Sequence, residues 1–245
     1  MLKRMAAAIA SSIRGQDTRT PPAVDPPSVR GVDFGDFRRL APVSTNWGFD
    51  RGRPIDRYYI EDFLERHAGD IRGRVLEIGD NAYTRRFGGD RVTTSDVLHV
   101  RERRPGVTLV ADLTAAPEIA SESFDCVILT QTLQLIFDIP AALRTLHRIL
   151  APAGALLATV PGITKIVVDE GGDRQWWTFA SPTARRLLGD VFGPNVAVES
   201  HGNVLAAIAF LHGLSVEELQ PAELDHRDPA YEVIVTVRAV KPCAA

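Results

Sequence analysis

The hydrophobic pattern divides the chain into three stretches of different character. Residues 1–31 carry Pro21, Pro22, Pro26 and Pro27 and almost no large apolar side chains, so they read as a disordered or frayed leader. Within 32–72 an irregular aromatic run (Phe34, Phe37, Trp47, Phe49) leads into Pro54–Leu64. Proline there opens a helix, and Ile55, Tyr59, Ile60, Phe63 and Leu64 recur on one face at helical spacing. Arg57 and Tyr58 fall off that stripe, free for solvent or ligand. This stretch reads as a helical cap.

From 73 to 245 short apolar runs alternate with helical patterns. Strands are predicted over 74–78, 91–95, 107–111, 124–129, 155–160, 195–200 and 231–240, and helices over 140–150, 182–192 and 203–211. Strands without a polar face, separated by helices, imply a parallel sheet covered on both sides. The seven strands are expected to form a doubly wound α/β sheet in one domain with the helical N-terminal cap. No internal repeat interrupts it.

Composition narrows the class. The 245 residues are 45% hydrophobic and 24% charged with a net charge of −3, which excludes disorder throughout. No run approaches the roughly 18 apolar residues of a spanning helix. The slight negative charge argues against a nucleic-acid partner, and Arg101-Glu102-Arg103-Arg104 reads as a solvated turn. Cys126 and Cys243 make neither a disulfide framework nor a zinc cluster. His67, His99, His147, His212 and His226 lack metal spacing, so no metal is expected. The first ten residues faintly resemble a signal peptide. Their apolar core is short and Arg14 interrupts it, so the chain is read as cytoplasmic, with no membrane partner. Oligomeric state stays open between monomer and homodimer.

In such a sheet, ligands bind beyond the carboxyl ends of the strands. The first strand runs into Glu77-Ile78-Gly79-Asp80, the second into Asp96-Val97, the third into Asp112-Leu113 and the fourth into Thr130-Gln131. Gly79 permits a tight turn beneath a ligand, and Asp96 is placed to take the hydroxyls of a ribose. A carboxylate at a strand end can equally be a helix cap or loop anchor.

These residues resemble the class I S-adenosylmethionine-dependent methyltransferase family over about residues 55–240. The likeness rests on Val-Leu-Glu-Ile-Gly at 75–79, Asp96, Asp112-Leu113, and Phe124–Leu129 running into Gln131. His147-Arg148-Ile149-Leu150, followed by Ala151-Pro152-Ala153-Gly154, extends it. The resemblance implies that the sheet is Rossmann-like, mostly parallel with an antiparallel last strand, and that S-adenosylmethionine is the cofactor. It places Asp96 on the ribose, Asp112 on the adenine amine, Leu113 against the adenine ring, Glu77 and Gly79 along the methionine part, and Thr130 and Gln131 over the cofactor, with Asp80 and Val97 beside them. One departure is Asn81, where the family has a second glycine. Its loss hurts a dinucleotide reading more, because pyrophosphate needs close backbone approach there and Gly-x-Gly-x-x-Gly is absent. Thr84 or an arginine of Arg85-Arg86 suits the cofactor's carboxylate, or the arginines stand solvated on a short surface helix.

The function expected is methyl transfer to a small-molecule acceptor, at oxygen, in secondary-metabolite or sugar-type biosynthesis. N-methylation of a small molecule is the alternative. A non-catalytic module that keeps the fold is another, favoured by Asn81. His201 is the candidate general base, since histidine titrates near neutrality, against a loop histidine bonding backbone. Asp169 is a candidate orienter or base. Trp47, Arg57, Tyr58, Arg174 and Trp176 are candidate acceptor contacts, with Trp176 an equally good core anchor.

Overall fold

The computed structural model describes residues 25–101, 105–167 and 174–243. Its contacts group into two units, Met1–Arg39 and Leu40–Ala245. In the described part of the first, Gly35–Phe37 forms a single 3-10 turn and the Arg38 guanidinium stacks 4.9 Å from the Phe34 ring centre.

The second unit is built on seven strands: β1 (Gly73–Ile78), β2 (Val92–His99), β3 (Leu109–Val110), β4 (Phe124–Thr130), β5 (Leu150–Pro161), β6 (Val196–His201) and β7 (Ile234–Val240). Their order is β3-β2-β1-β4-β5-β7-β6, with only β7 antiparallel to its neighbours. Cys126, Val127, Ile128 and Leu129 of β4 are all fully buried, as a strand covered on both faces requires. Helices α2 (Ile139–Ile149) and α3 (Ser181–Phe192) cover one face through Leu143, Leu146, Ile149, Leu188 and Phe192. The other face packs against α1 (Ile55–Arg66) and α4 (Val204–Leu211) through Ile55, Tyr59, Phe63, Ala206 and Phe210. A short α5 (Pro221–Asp225) follows. No helix of the described residues is long and apolar enough to cross a membrane.

Four strands differ appreciably in their bounds from the sequence reading, β5 starting earlier at Leu150 and β7 later at Ile234. β2 continues through Val97 and Leu98 to His99, because its polar first half (Thr93, Thr94, Ser95, Asp96) masked an apolar second half. β3 shrinks to two residues at the sheet edge. Helix starts follow their caps. Asp138 accepts from Ala141 N at 3.0 Å ahead of α2, and Asn203 accepts from Ala206 N at 3.0 Å ahead of α4.

Candidate active site

The chain winds outward in both directions from β1 and β4, so their carboxyl ends open a crevice. A cavity of about 1100 Å³ fills it. The floor begins at β1. Glu77 is buried, and its carboxylate accepts from Thr84 N (2.7 Å), Thr84 Oγ1 (2.7 Å) and Tyr83 N (3.2 Å). Burial raises its pKa while those hydrogen bonds pull it down, so Glu77 is committed to pinning the next turn. Gly79 follows at φ +92°, a region side chains avoid, and a Cβ there would meet nothing within 4 Å. Asp80 Oδ1 accepts from Ala82 N at 2.8 Å, and Asn81 Nδ2 donates to Ser95 Oγ at 3.1 Å. Asn81 does not take a positive φ, so this turn forms without a second glycine. One turn of π-helix, Thr84–Gly88, then carries Arg85 and Arg86.

The remaining strand ends complete the floor. β2 delivers Leu98, His99, Val100 and Arg101. After β3, Asp112 Oδ1 accepts from Thr114 N and Oγ1, both at 2.8 Å, leaving Oδ2 without a hydrogen bond among the described residues. Leu113 beside it is buried. After β4, Gln131 is held at φ +47°, unusual for a residue with a side chain, by its N–H bond to Thr159 O at 2.9 Å. Thr130, Gln131 and Thr132 line the cavity there, and exposed Phe137 stands at its rim.

The wall comes from α1 and the segment before it. Arg57 and Glu61 lie one turn apart on the face beside the apolar stripe, so both reach the cavity with Arg53 and Phe49. Arg57 Nη1 donates to Tyr83 Oη at 3.1 Å. Burial raises the Tyr83 phenol, with the Arg57 charge opposing. Glu61 Oε2 lies 3.1 Å from both Arg53 Nη1 and Arg86 Nη1. Beneath them Asp56 is buried, Oδ1 has no hydrogen-bond partner, and burial holds its carboxyl above the usual range.

Of the residues singled out from sequence, Glu77, Gly79, Asp80, Asp112, Leu113, Thr130, Gln131 and Arg57 meet at this cavity. Others are placed elsewhere. Asp96 points away from it inside β2, where Arg74 Nε (2.7 Å) and Thr108 Oγ1 (2.9 Å) hold its carboxylate, and Val97 packs in the interior. Tyr58 turns to the opposite side of α1, bonding Asp225 Oδ1 at 2.6 Å. Trp47 holds the Lys165 ammonium 3.4 Å from its ring centre. Arg174 is exposed outside the lining. Trp176 packs edge-on against Phe137 at 5.1 Å and reaches the cavity only through it. Asp169 and Glu102–Arg104 lie outside the described residues.

His201 ends β6, three strands from β4, a separation of about 14 Å at ordinary strand spacing. It lines a separate cleft of about 470 Å³ with Tyr58, Glu199 and Arg227, and its Nε2 lies 3.0 Å from Thr236 Oγ1. Burial, then the Arg227 charge, pushes its pKa down to about 4. Sequence reasoning missed Arg53, Glu61 and His99, while Arg86 of the candidate loop does line the cavity. The (i, i+4) spacing of Arg57 and Glu61 was the available signal for the wall, and the apolar run 97–98 for the true end of β2.

Residues 79–158 match the family model described as a methyltransferase domain. No curated protein sequence matches the chain. Among solved structures, an S-adenosylmethionine-dependent methyltransferase from Mesorhizobium loti is 18% identical, covering 76% of this chain and 100% of that one at a TM-score of 0.51. The N-methyltransferase NodS from Bradyrhizobium japonicum, solved with S-adenosylhomocysteine, is 14% identical over 82% of this chain and 95% of its own, with a TM-score of 0.51. The 4+2 cyclase SpnF is 16% identical over 84% and 88%, with a TM-score of 0.50. At such identities these structures share a fold, and they carry more than one chemistry on it. The domain match begins at the Gly79 turn and ends within β5, taking in the floor beyond β1, and the sheet is wound in the expected way. The chain thus carries a methyltransferase-domain match over residues 79–158, within a fold it shares with solved S-adenosylmethionine-dependent methyltransferases.

Proposed function

We propose that the protein transfers the methyl group of S-adenosylmethionine to a small-molecule acceptor held between the strand ends and α1. The observation that carries this is the single continuous cavity of about 1100 Å³. That is above the roughly 300–1,000 Å³ of a one-ligand site, so cofactor and acceptor fit side by side.

The residues present suit the cofactor. Gly79 leaves open space where a side chain would intrude, and Asp112 keeps one carboxylate oxygen for an amino group. Asp80, His99 and Asp112 stand at or just beyond the ends of the first three strands, the acidic pair matching a ligand that bears a sulfonium and an ammonium. When bound, S-adenosylmethionine supplies an electrophilic methyl group for direct displacement. The chain's own work is alignment and water exclusion. The Leu113 and Ile78 side chains give apolar packing, and the wall from Phe49 to Glu61 closes over the acceptor.

A secondary-metabolite or sugar-type acceptor agrees with a cleft of this size, and the slight negative net charge favours it over nucleic acid. Preference for oxygen over nitrogen rested on His201 as base. With His201 three strands away, that preference has lost its support. The non-catalytic reading drew on Asn81, and it too weakens because the turn closes without a glycine there.

Calorimetric titration with S-adenosylmethionine tests the reading. Saturable binding is expected, weakened at least about tenfold in Asp112→Ala, the cost of one charge-assisted hydrogen bond. Absence of binding at millimolar cofactor overturns it.

A further inference from the structure

The cavity lining carries both signs of charge, and they come from different elements. Among the described residues, Glu77, Asp80, Asp112 and Asp138 line the strand ends, with Arg101 the one arginine or lysine beside them. Beside the turn after β1, the wall carries Arg53, Arg57 and Arg86 against the one carboxylate of Glu61 among the described lining residues. Glu61 is shared between Arg53 and Arg86 at 3.1 Å each, so neither has a carboxylate to itself. Arg57 is half-buried and has less still. The only side-chain hydrogen bond it makes among the described residues goes from Nη1 to the neutral Tyr83 hydroxyl, leaving the rest of a five-donor fork at the cavity. The buried Asp56 offsets part of its charge through space, but the carboxylate makes no side-chain hydrogen bond to the guanidinium.

We propose that this arginine wall binds an anionic group on the methyl acceptor, a carboxylate or phosphate, with Arg57 as the principal contact and Arg86 and Arg53 beside it. The inference rests on the methyltransferase reading for the identity of the second ligand. A planar guanidinium fork matches both anions bidentately, and in a partly desolvated cleft such a bond is stronger than in water. Charge balance points the same way. S-adenosylmethionine is itself a net cation, so an arginine-rich wall in the same cavity opposes its charge until an anion sits between them. The cofactor's one carboxylate occupies one fork at most, and the wall offers three. Glu61 then has a positioning role, holding Arg53 and Arg86 toward the compartment until the acceptor's anion arrives.

The experiment is titration of the protein, saturated with S-adenosylhomocysteine, against inorganic phosphate, acetate and glucose in separate runs. Phosphate and acetate are expected to bind at millimolar concentration and glucose not at all. Arg57→Gln is expected to weaken anion binding at least about tenfold, with S-adenosylhomocysteine affinity changing less than about threefold. Because Arg57 stands over buried Asp56, Arg57→Lys and the surface variant Arg86→Gln are measured beside it. Lysine keeps the charge and loses the fork, so an intermediate loss is expected. If Arg57→Gln and Arg86→Gln lose S-adenosylhomocysteine instead and leave phosphate unchanged, the arginines serve the cofactor and the proposal falls. Glucose binding as well as phosphate, with no effect of either variant, overturns it too. Failure of the methyltransferase reading is separately visible, as absence of S-adenosylhomocysteine binding in the unaltered protein. Arginine-dependent phosphate binding by the ligand-free protein then still reports on the wall.

Discussion

His201 ties the stability of the sheet edge to pH. Its side chain is 2% exposed, and its pKa is pushed down to about 4 from the ordinary 6.5. Burial is the main cause, Arg227 and then Arg66 add repulsion, and Glu199 at 4.0 Å and Asp62 oppose them. The unfolded chain therefore binds a proton that the folded one refuses. The histidine's contribution is present in full above the unfolded pKa and is lost as the pH falls from about 6.5 toward about 4. Lowering the pH from about 8 to about 5 removes roughly 2 kcal/mol on these two values, out of a total stability of about 5–15 kcal/mol. The comparison variant is His201→Gln, which keeps a polar group for Thr236 and does not titrate. Urea unfolding followed by tryptophan fluorescence at both pH values gives the stability of each protein. Groups common to both cancel in the difference between them. The gap between the two proteins should close, or reverse in favour of the variant, by roughly 2 kcal/mol on acidification. Parallel pH trends would refute the reasoning, because they would mean that folding leaves the His201 pKa unshifted, and a gap that widens on acidification would mean a charged His201 paired with Glu199.

Two further substitutions test the floor. Gly79→Ala forces a side chain into a left-handed turn at a cost of about 1–2 kcal/mol, and its methyl enters the cofactor space. Thermal unfolding and cofactor titration should both register it, and unchanged affinity would place the cofactor elsewhere. Asp96→Ala breaks the ties to Arg74 and Thr108 and should cost about 1–3 kcal/mol in stability. Its cofactor affinity should stay within about twofold, and a tenfold loss would return Asp96 to the site.

Much of the scaffold was legible before folding was considered. The apolar runs of β1, β4 and β5 and the 3.6-residue stripe of α2 lie where periodicity put them, because both are driven by burial of local sequence. Gly79, Asp112 and Gln131 were visible as strand-end residues for the same reason. β2 was read too short because its polar half is in fact inside the strand. Ser95 there bonds Asn81, and Asp96 bonds Arg74 and Thr108, partners the linear pattern does not reveal.

The sequence by itself determined the alternation of strands and helices, the covered sheet and the acids at the strand ends. Each of these follows from side-chain burial within about ten neighbouring residues. The tertiary structure alone decided which side chains share a space. Arg57 and Tyr58 are adjacent, yet one helical step of about 100° sends Arg57 to the cavity and Tyr58 to Asp225. His201 lies away from the strand-end cavity through a non-local choice, the insertion of β7 between β5 and β6, which moves β6 to the outer edge. Such choices are settled by strand pairing between segments far apart in the chain, and no periodicity within either segment encodes them.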